Sequence, residues 1–213
     1  MCFPTCAPLV FAIEVFMFEG IMARVKRPDR TPPGRLRIVA GKWRSRLLPI
    51  ADEPGLRPTS ERIRETLFNW LAPAIEGSRC LDLYAGSGAL GLEALSRGAR
   101  EVVFVEMSAG SATVLADSIA ALDATGAHVR NTDAMCYLQG EVEPFDIVFL
   151  DPPFAADLLE DLCRLLDERG WLAAGARVYL EQDAERPLPR LPDGWAVLRE
   201  KTAGQVRYAL VTA

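Results

Sequence analysis

The run Cys80-Leu81-Asp82-Leu83-Tyr84-Ala85-Gly86-Ser87-Gly88-Ala89-Leu90-Gly91-Leu92-Glu93-Ala94-Leu95 reads as a strand, a glycine turn and the start of a helix. Residues 80–84 are short, mostly apolar and closed by turn residues, the pattern of a strand buried on both faces of a parallel sheet. Gly86 and Gly88 carry no Cβ, so the chain turns sharply there and a ligand approaches its backbone closely. The helix that follows offers unpaired N–H groups and the positive end of its dipole, which suit a polar or anionic small molecule. Gly86-x-Gly88-x-x-Gly91 has the dinucleotide-binding spacing, and Glu106 ends the apolar run Val102-Val103-Phe104-Val105. A carboxylate roughly 20 residues beyond the glycines is where a ribose diol is gripped. Nicotinamide dinucleotides and S-adenosylmethionine both carry an adenosine ribose, so this stretch alone leaves the two open.

Working outward, apolar runs and helical patterns alternate. Strands are expected at 102–106, 127–131, 145–150 and 177–181, and helices at 111–122 and 158–166. Val114, Leu115, Ile119 and Leu122 share one side of the first of these helices. Two last runs, 195–201 and 205–212, flank Thr202-Ala203-Gly204 and read as an antiparallel hairpin. Alternating strands and helices imply a mostly parallel, doubly wound α/β sheet, and the closing hairpin is unusual for a nicotinamide-binding domain. Upstream, Thr59 or Ser60 caps a helix whose apolar face is Ile63, Leu67, Trp70 and Leu71. Arg57, Arg62 and Arg64 lie near its start or off that face, placed to meet a phosphate or a carboxylate.

The 213 residues, half of them hydrophobic, suffice for one α/β domain with a substantial core. The net charge of −5 hides an asymmetry: between Arg24 and Arg46 nine basic residues face one acid, Asp29. A basic arm on an acidic body suits a polyanionic partner. Residues 1–34 divide into an apolar extension and this proline-bearing arm, expected to be disordered. The extension, 1–21, is interrupted by Glu14 and lacks a basic leader, so it reads neither as a secretory signal nor as a membrane span. Met22 directly precedes the arm, and the extension is expected to have no functional role. Residues 35–55 form a small strand-pair appendage with Gly41-Lys42-Trp43 at its turn, presenting Lys42, Trp43, Arg44 and Arg46. Trp43 either stacks on a base or pins the appendage to the body. The five cysteines form no CxxC pair, and Cys80, Cys136 and Cys163 sit in apolar contexts where buried free thiols are ordinary. With a single histidine, His128, no zinc set and no Ser-His-Asp mechanism assembles. The cysteine usage fits a reducing cytoplasm.

The second informative run is Ile147-Val148-Phe149-Leu150-Asp151-Pro152-Pro153-Phe154. It carries an acid, two prolines and an aromatic to the carboxyl end of a strand, where open α/β sheets bind ligands. Proline lacks an N–H and fixes φ, so the carbonyls here are held outward as an acceptor-only edge. Such an edge suits a planar amine that donates hydrogen bonds while its nitrogen is alkylated. Asp151 accepts from the amine or takes its proton, and Phe154 stacks on the ring that bears it.

Together, Asp82-Leu-Tyr-Ala-Gly-Ser-Gly and Asp151-Pro-Pro-Phe resemble the motifs of class I S-adenosylmethionine-dependent amino methyltransferases. More narrowly, Arg37-Ile-Val-Ala-Gly-Lys-Trp-Arg, Leu56-Arg-Pro-Thr-Ser-Glu-Arg-Ile-Arg and Glu200-Lys-Thr-Ala-Gly-Gln-Val-Arg-Tyr resemble the RsmD family. These are bacterial guanine-N2 methyltransferases of small-subunit (16S) ribosomal RNA, and the likeness covers about residues 35–213. The resemblance implies a Rossmann-like class I fold with S-adenosyl-L-methionine as cofactor and no metal. It implies that Asp82, Tyr84, Gly86 and Gly88 line the methionine moiety, closed over by Arg57 and Thr59. Glu106 holds the ribose, Met107 packs on the adenine, and Asp133 with Ala134 meets its amine. Asp151, Pro152, Pro153 and Phe154 position a guanine from an RNA hairpin loop, in a small-subunit assembly intermediate. Arg35, Arg37, Lys42, Trp43, Arg44, Arg46 and Arg62 contact the RNA, and the enzyme acts as a cytoplasmic monomer away from membranes. An adenine-N6 methyltransferase of DNA or RNA is the main rival, since the same acceptor edge serves either amine; a dehydrogenase or non-catalytic nucleotide-binding module is more distant. Removing residues 1–35 is expected to weaken RNA binding and to flatten its salt dependence, measured by titration over a range of salt; an unchanged slope would remove the arm from the RNA site.

Overall fold

The computed structural model describes residues 34–53 and 58–213. The apolar extension, the basic arm as far as residue 33, and Arg57 lie outside the described residues. In chain order the described part opens with a hairpin, β1 (Arg35–Arg37) and β2 (Leu47–Pro49), followed by helix α1 (Glu61–Leu71). Then come β3 (Arg79–Asp82), α2 (Ala89–Ser96), β4 (Glu101–Glu106), α3 (Ala109–Ala121), β5 (Ala127–Asn131) and α4 (Ala134–Leu138). The chain continues with β6 (Phe145–Leu150), a 3-10 turn (Phe154–Ala156), α5 (Leu159–Arg169), β7 (Leu172–Asp183), β8 (Ala196–Ala203) and β9 (Val206–Thr212).

Among the described residues the main sheet has the order β5-β4-β3-β6-β7-β9-β8. Strands β3 to β7 run parallel; β9 is antiparallel between β7 and β8. Strand β3 lies at the centre, with Leu81 paired to Val103 on one side and Val148 on the other. Two apolar layers sandwich this sheet. On one face Leu67 and Phe68 of α1 pack with Leu92 and Leu115 against Phe104, Phe149 and Tyr179. On the other, Leu162 and Leu166 of α5 pack with Trp171 against Leu81, Val148 and Leu180. A strand covered on both faces needs apolar residues throughout, which is why the core runs lack an alternating polar pattern.

Helix α1 is capped by Ser60, whose Oγ accepts from the Ile63 N–H at 3.3 Å. Its buried stripe is Ile63, Arg64, Leu67, Phe68 and Leu71. Arg64 is therefore not a surface charge: it is 1% exposed and ion-paired to Glu93 of α2 at 3.0 Å, and Glu93 is fully buried. The carboxylate also accepts from the Val39 and Ala40 N–H groups, at 2.9 and 3.0 Å, and from Arg97 at 2.8 Å. Arg64 spends its other donors on the carbonyls of Thr59, at 3.2 Å, and Arg37, at 2.8 Å. The pair is satisfied on every side, which is the condition for a buried ion pair to persist. Burial still lowers the affinity of Arg64 for its proton, opposed by Glu93.

This pair fastens the hairpin to the body. The hairpin tip adds a second anchor, where the Lys42 backbone N–H donates to the Ser96 carbonyl at 2.7 Å and the Trp43 N–H to the Ser96 Oγ at 3.0 Å. Trp43 is 8% exposed, so it pins the appendage and does not present a ring for base stacking. Cys80 and Cys163 are buried free thiols, whereas Cys136 is exposed on the outer side of the short helix α4. Replacing Glu93 by Ala is expected to leave Arg64 as an unpaired buried cation and to cost about 3–5 kcal/mol, read by denaturant unfolding. The same change at an exposed pair such as Arg164–Glu168 should leave the unfolding midpoint nearly unchanged.

Candidate active site

The carboxyl ends of β3, β4 and β6 meet at one rim of the sheet. After β3 the chain turns through Gly86 and Gly88, at φ 52° and 75°, before α2 begins. Gly91 lies against the Phe104 ring: a Cβ there would stand 2.2 Å from it, so only glycine lets α2 close onto β4. The buried carboxylate of Asp82 accepts from the Gly91 N–H at 2.9 Å and so ties the end of β3 to the first turn of the helix. Burial, with the charges of Asp151 and Glu106 adding to it, pushes the Asp82 carboxyl up to about 7, against the Gly91 hydrogen bond.

Glu106 closes β4 and clasps the glycine turn. Its two carboxylate oxygens accept from the N–H groups of Gly86 and Ser108, each at 2.7 Å. Each oxygen has a second lone pair, which is what a ribose diol requires. Next to it Met107 is 73% exposed, an unusual position for a large apolar side chain and a suitable bed for an aromatic ring. Asp133 caps α4, one oxygen accepting from Met135 at 2.9 Å and Cys136 at 3.1 Å, and Ala134 is buried behind it. Tyr84 is half-buried at the same rim, and burial pushes its phenol up to about 12. The donors and acceptors at this rim fit an adenosine with a cationic tail: a carboxylate for the diol, an apolar bed for the ring, and a buried acid beside the glycine turn.

Beyond β6 the chain passes through Asp151, Pro152 and Pro153 into the 3-10 turn at Phe154. Pro152 is buried, Pro153 exposed and Phe154 half-buried. The Pro153 carbonyl accepts from the Ala156 N–H at 2.9 Å. The acceptor edge expected from the two prolines therefore narrows to Asp151 and Pro152. Asp151 accepts from the Thr59 Oγ1 at 3.1 Å, and burial pushes its carboxyl up to about 6, against that hydrogen bond. Thr59 thus faces Asp151. Beside Asp151 lies Glu181 on β7, buried, a residue that the sequence reading did not single out.

The family described as "Conserved hypothetical protein 95" matches residues 36–212. Ribosomal RNA small subunit methyltransferase D of Escherichia coli K12 is 50% identical over 186 residues, covering 87% of this chain and 94% of that protein. The protein of the same name from Haemophilus influenzae is 45% identical over 193 residues, covering 89% and 98%. The chain belongs to the RsmD family. The solved structure of yhhF from Escherichia coli superposes with a TM-score of 0.79 at 48% identity, covering 84% of this chain and 98% of that one. The fold is that of class I methyltransferases, with the antiparallel strand pair closing the sheet.

In this RsmD chain the residues expected to meet RNA are exposed on the hairpin and at the start of α1, except Trp43. Arg37 pairs with Glu61 at the start of α1, at 3.6 Å, close to Thr59 and the catalytic rim. Arg35 and Arg62 are exposed at that same end. Lys42, Arg44 and Arg46 are exposed at the hairpin tip, which docks on Ser96 and on the Ala121 carbonyl. Those are the far ends of α2 and α3, and α2 alone spans roughly 12 Å away from the rim. Trp43 and Arg64, as described above, are structural. His128 is exposed on β5 and lies 3.9 Å from Glu101, far from the catalytic turn. No cluster of metal-ligating side chains occurs among the described residues. Affinity for S-adenosylmethionine, whose sulfonium and ammonium favour an ionised Asp82, should rise as pH is raised through about 7. Calorimetry should find that slope in the native protein and none in Asp82→Asn.

Proposed function

We propose that the protein methylates the exocyclic N2 of a guanine in a hairpin loop of 16S ribosomal RNA, as a monomer acting in the cytoplasm on a small-subunit assembly intermediate. The observation that carries this reading is the half-buried Asp151 carboxylate, bonded to Thr59 and followed by two prolines and Phe154, at the rim that also carries the glycine turn and Glu106. No helix among the described residues is long and apolar enough to cross a membrane. The small-subunit RNA named for the Escherichia coli and Haemophilus influenzae relatives supports the choice of substrate.

S-Adenosylmethionine is the cofactor, and when bound it supplies an electrophilic methyl group on a sulfonium that leaves as a thioether. Asp82, Tyr84 and the turn at Gly86 and Gly88 would hold its methionine end, Glu106 the ribose, and Met107, Asp133 and Ala134 the adenine. A guanine amine is a weak nucleophile because its lone pair is delocalised into the ring. Asp151 and the Pro152 carbonyl accept its two N–H bonds, which favours a pyramidal nitrogen with the lone pair exposed. As the nitrogen gains its fourth bond, Asp151 takes one of its protons. Phe154 stacks on the ring, worth about 1–3 kcal/mol. Such a pocket requires the base to leave its stack, which costs least for a nucleotide in a loop. Most of the acceleration then comes from positioning.

Because burial raises the folded carboxyl to about 6, Asp151 is ready to accept a proton only above that value, and kcat should fall as pH drops through it. Asp151→Ala is expected to abolish methyl transfer while leaving cofactor affinity within about tenfold. The reaction is tested with radiolabelled cofactor on small-subunit particles and free RNA from cells lacking the gene, followed by nucleoside analysis. Label in N2-methylguanosine supports the reading; label in N6-methyladenosine keeps the fold and cofactor and replaces the substrate.

A further inference from the structure

The depression beside the Asp151 loop holds a charge pair that plays no part in the methyl transfer described above. Pro152, Pro153 and Phe154 line it from the end of β6, and Gln182 and Arg186 from the end of β7 and the turn that follows. Asp157 completes it, just after the 3-10 turn, in the left-handed conformation (φ 49°) that aspartate adopts more readily than most residues. Its Oδ1 lies 2.8 Å from Nη1 of Arg186. The Arg186 and Asp157 side chains are 40% and 83% exposed, so a guanidinium and a carboxylate stand side by side with edges free for a ligand. The backbone that carries Arg186 is fixed from several sides. Its N–H donates to the Asp183 carbonyl at 3.2 Å, and its carbonyl accepts from the Gln182 Nε2 at 3.1 Å. The same amide donates to the Pro187 carbonyl at 2.7 Å. The Ala184 N–H donates to the Gln205 carbonyl at 2.9 Å, and the Ala184 carbonyl accepts from Arg207 at 3.1 Å, so the turn is tied to the start of β9. A guanidinium on so fixed a turn is preorganised for a partner.

We propose that Asp157 and Arg186 read the target base: Asp157 accepts from the N1–H of the guanine and Arg186 donates to its O6. This rests on the guanine-N2 reading above, and it supplies the choice between guanine and adenine that the Asp151 edge does not make. A purine whose amine meets Asp151 and the Pro152 carbonyl, and whose ring stacks on Phe154, extends the edge next to that amine into the depression that these residues share with Arg186. In guanine that edge is a donor, N1–H, followed by an acceptor, O6. In adenine the N1 beside the amine is a bare acceptor, which would meet the Asp157 carboxylate lone pair to lone pair. A site built to hydrogen-bond a group rejects an analogue that lacks it far more strongly than an apolar pocket does. Guanidinium on guanine O6 is a common specific contact to this base. A phosphate would satisfy Arg186 alone and be repelled by the carboxylate 2.8 Å from it, so the pairing favours a base edge that offers a donor and an acceptor together.

The test uses the full chain and small-subunit particles rebuilt around RNA that carries guanine or 2,6-diaminopurine at the nucleotide the native enzyme labels. Diaminopurine keeps the 2-amino group but has a bare N1 and an amine in place of O6. The native enzyme should methylate it about 1,000-fold more slowly than guanine. Arg186→Met should lower kcat/KM for the guanine RNA about 100-fold, while the diaminopurine RNA and the KM for S-adenosylmethionine each stay within about threefold of native. Asp157→Asn, which keeps the left-handed turn and removes the charge, should narrow the preference for guanine about tenfold. A native enzyme that methylates both RNAs equally well overturns the proposal. So does an Arg186→Met enzyme that loses both substrates in equal measure, as a phosphate contact or a structural role would require, or one that keeps the native preference. A native enzyme that places no label in N2-methylguanosine on natural particles breaks the functional reading itself, before any analogue is used.

Discussion

The buried pair of Arg64 and Glu93 is the constraint on which the rest of this structure hangs. Glu93 collects two backbone N–H groups from the hairpin and two guanidinium side chains. Arg64 passes the connection to the Thr59 carbonyl, and the Thr59 side chain passes it to Asp151. A buried charge pair on α1 and α2 is therefore connected, through Thr59, to the carboxylate of Asp151. Two ions removed from water would ordinarily cost more than they return. Here the pair finds further partners in backbone groups of the hairpin and of Thr59 and in Arg97, and the return is positional: the hairpin, α1 and α2 are locked in one arrangement.

The rim at the other end of that connection concentrates acids. Asp82, Asp151 and Glu181 are all pushed upward, chiefly by burial, and Asp82 and Glu181 also feel the charge of Asp151. A purely structural sheet edge would avoid this, since uncompensated buried carboxylates oppose folding. Their gathering where β3, β6 and β7 end is what a site built to attract a sulfonium and accept an amine proton requires. The single hydroxyl of Thr59 donates to one of them, Asp151, and ties it to the start of α1.

Much of this was legible in the chain. The glycine turn, Glu106 and the Asp151-Pro-Pro-Phe run are local patterns, and strands such as Ala127–Asn131 and Phe145–Leu150 announce themselves through uninterrupted or flanked apolar residues. What escaped depends on contacts between distant segments. Arg64 falls inside the apolar stripe of α1, three residues before Leu67 and four before Phe68, but its charge suggested a surface position. Its partner lies 29 residues away. Glu181 looked like the last residue of a strand, because the acid beside it belongs to β6. Trp43 was ambiguous until Ser96 gave it a fixed seat. The two prolines suggested two free carbonyls, and only the 3-10 turn shows that one is engaged.

The position of β9 has a consequence for how the rim is made. It comes last in chain order, yet it is an inner strand, flanked by β7 and β8. During synthesis β7, with Tyr179 and Glu181, therefore waits with an open edge until Val206–Thr212 has left the ribosome and threaded between its neighbours. The cofactor turn and the Asp151 loop are translated well before that moment. The edge of β7 that carries Tyr179 and Glu181 is thus closed by residues that follow the cofactor turn and the Asp151 loop in the chain.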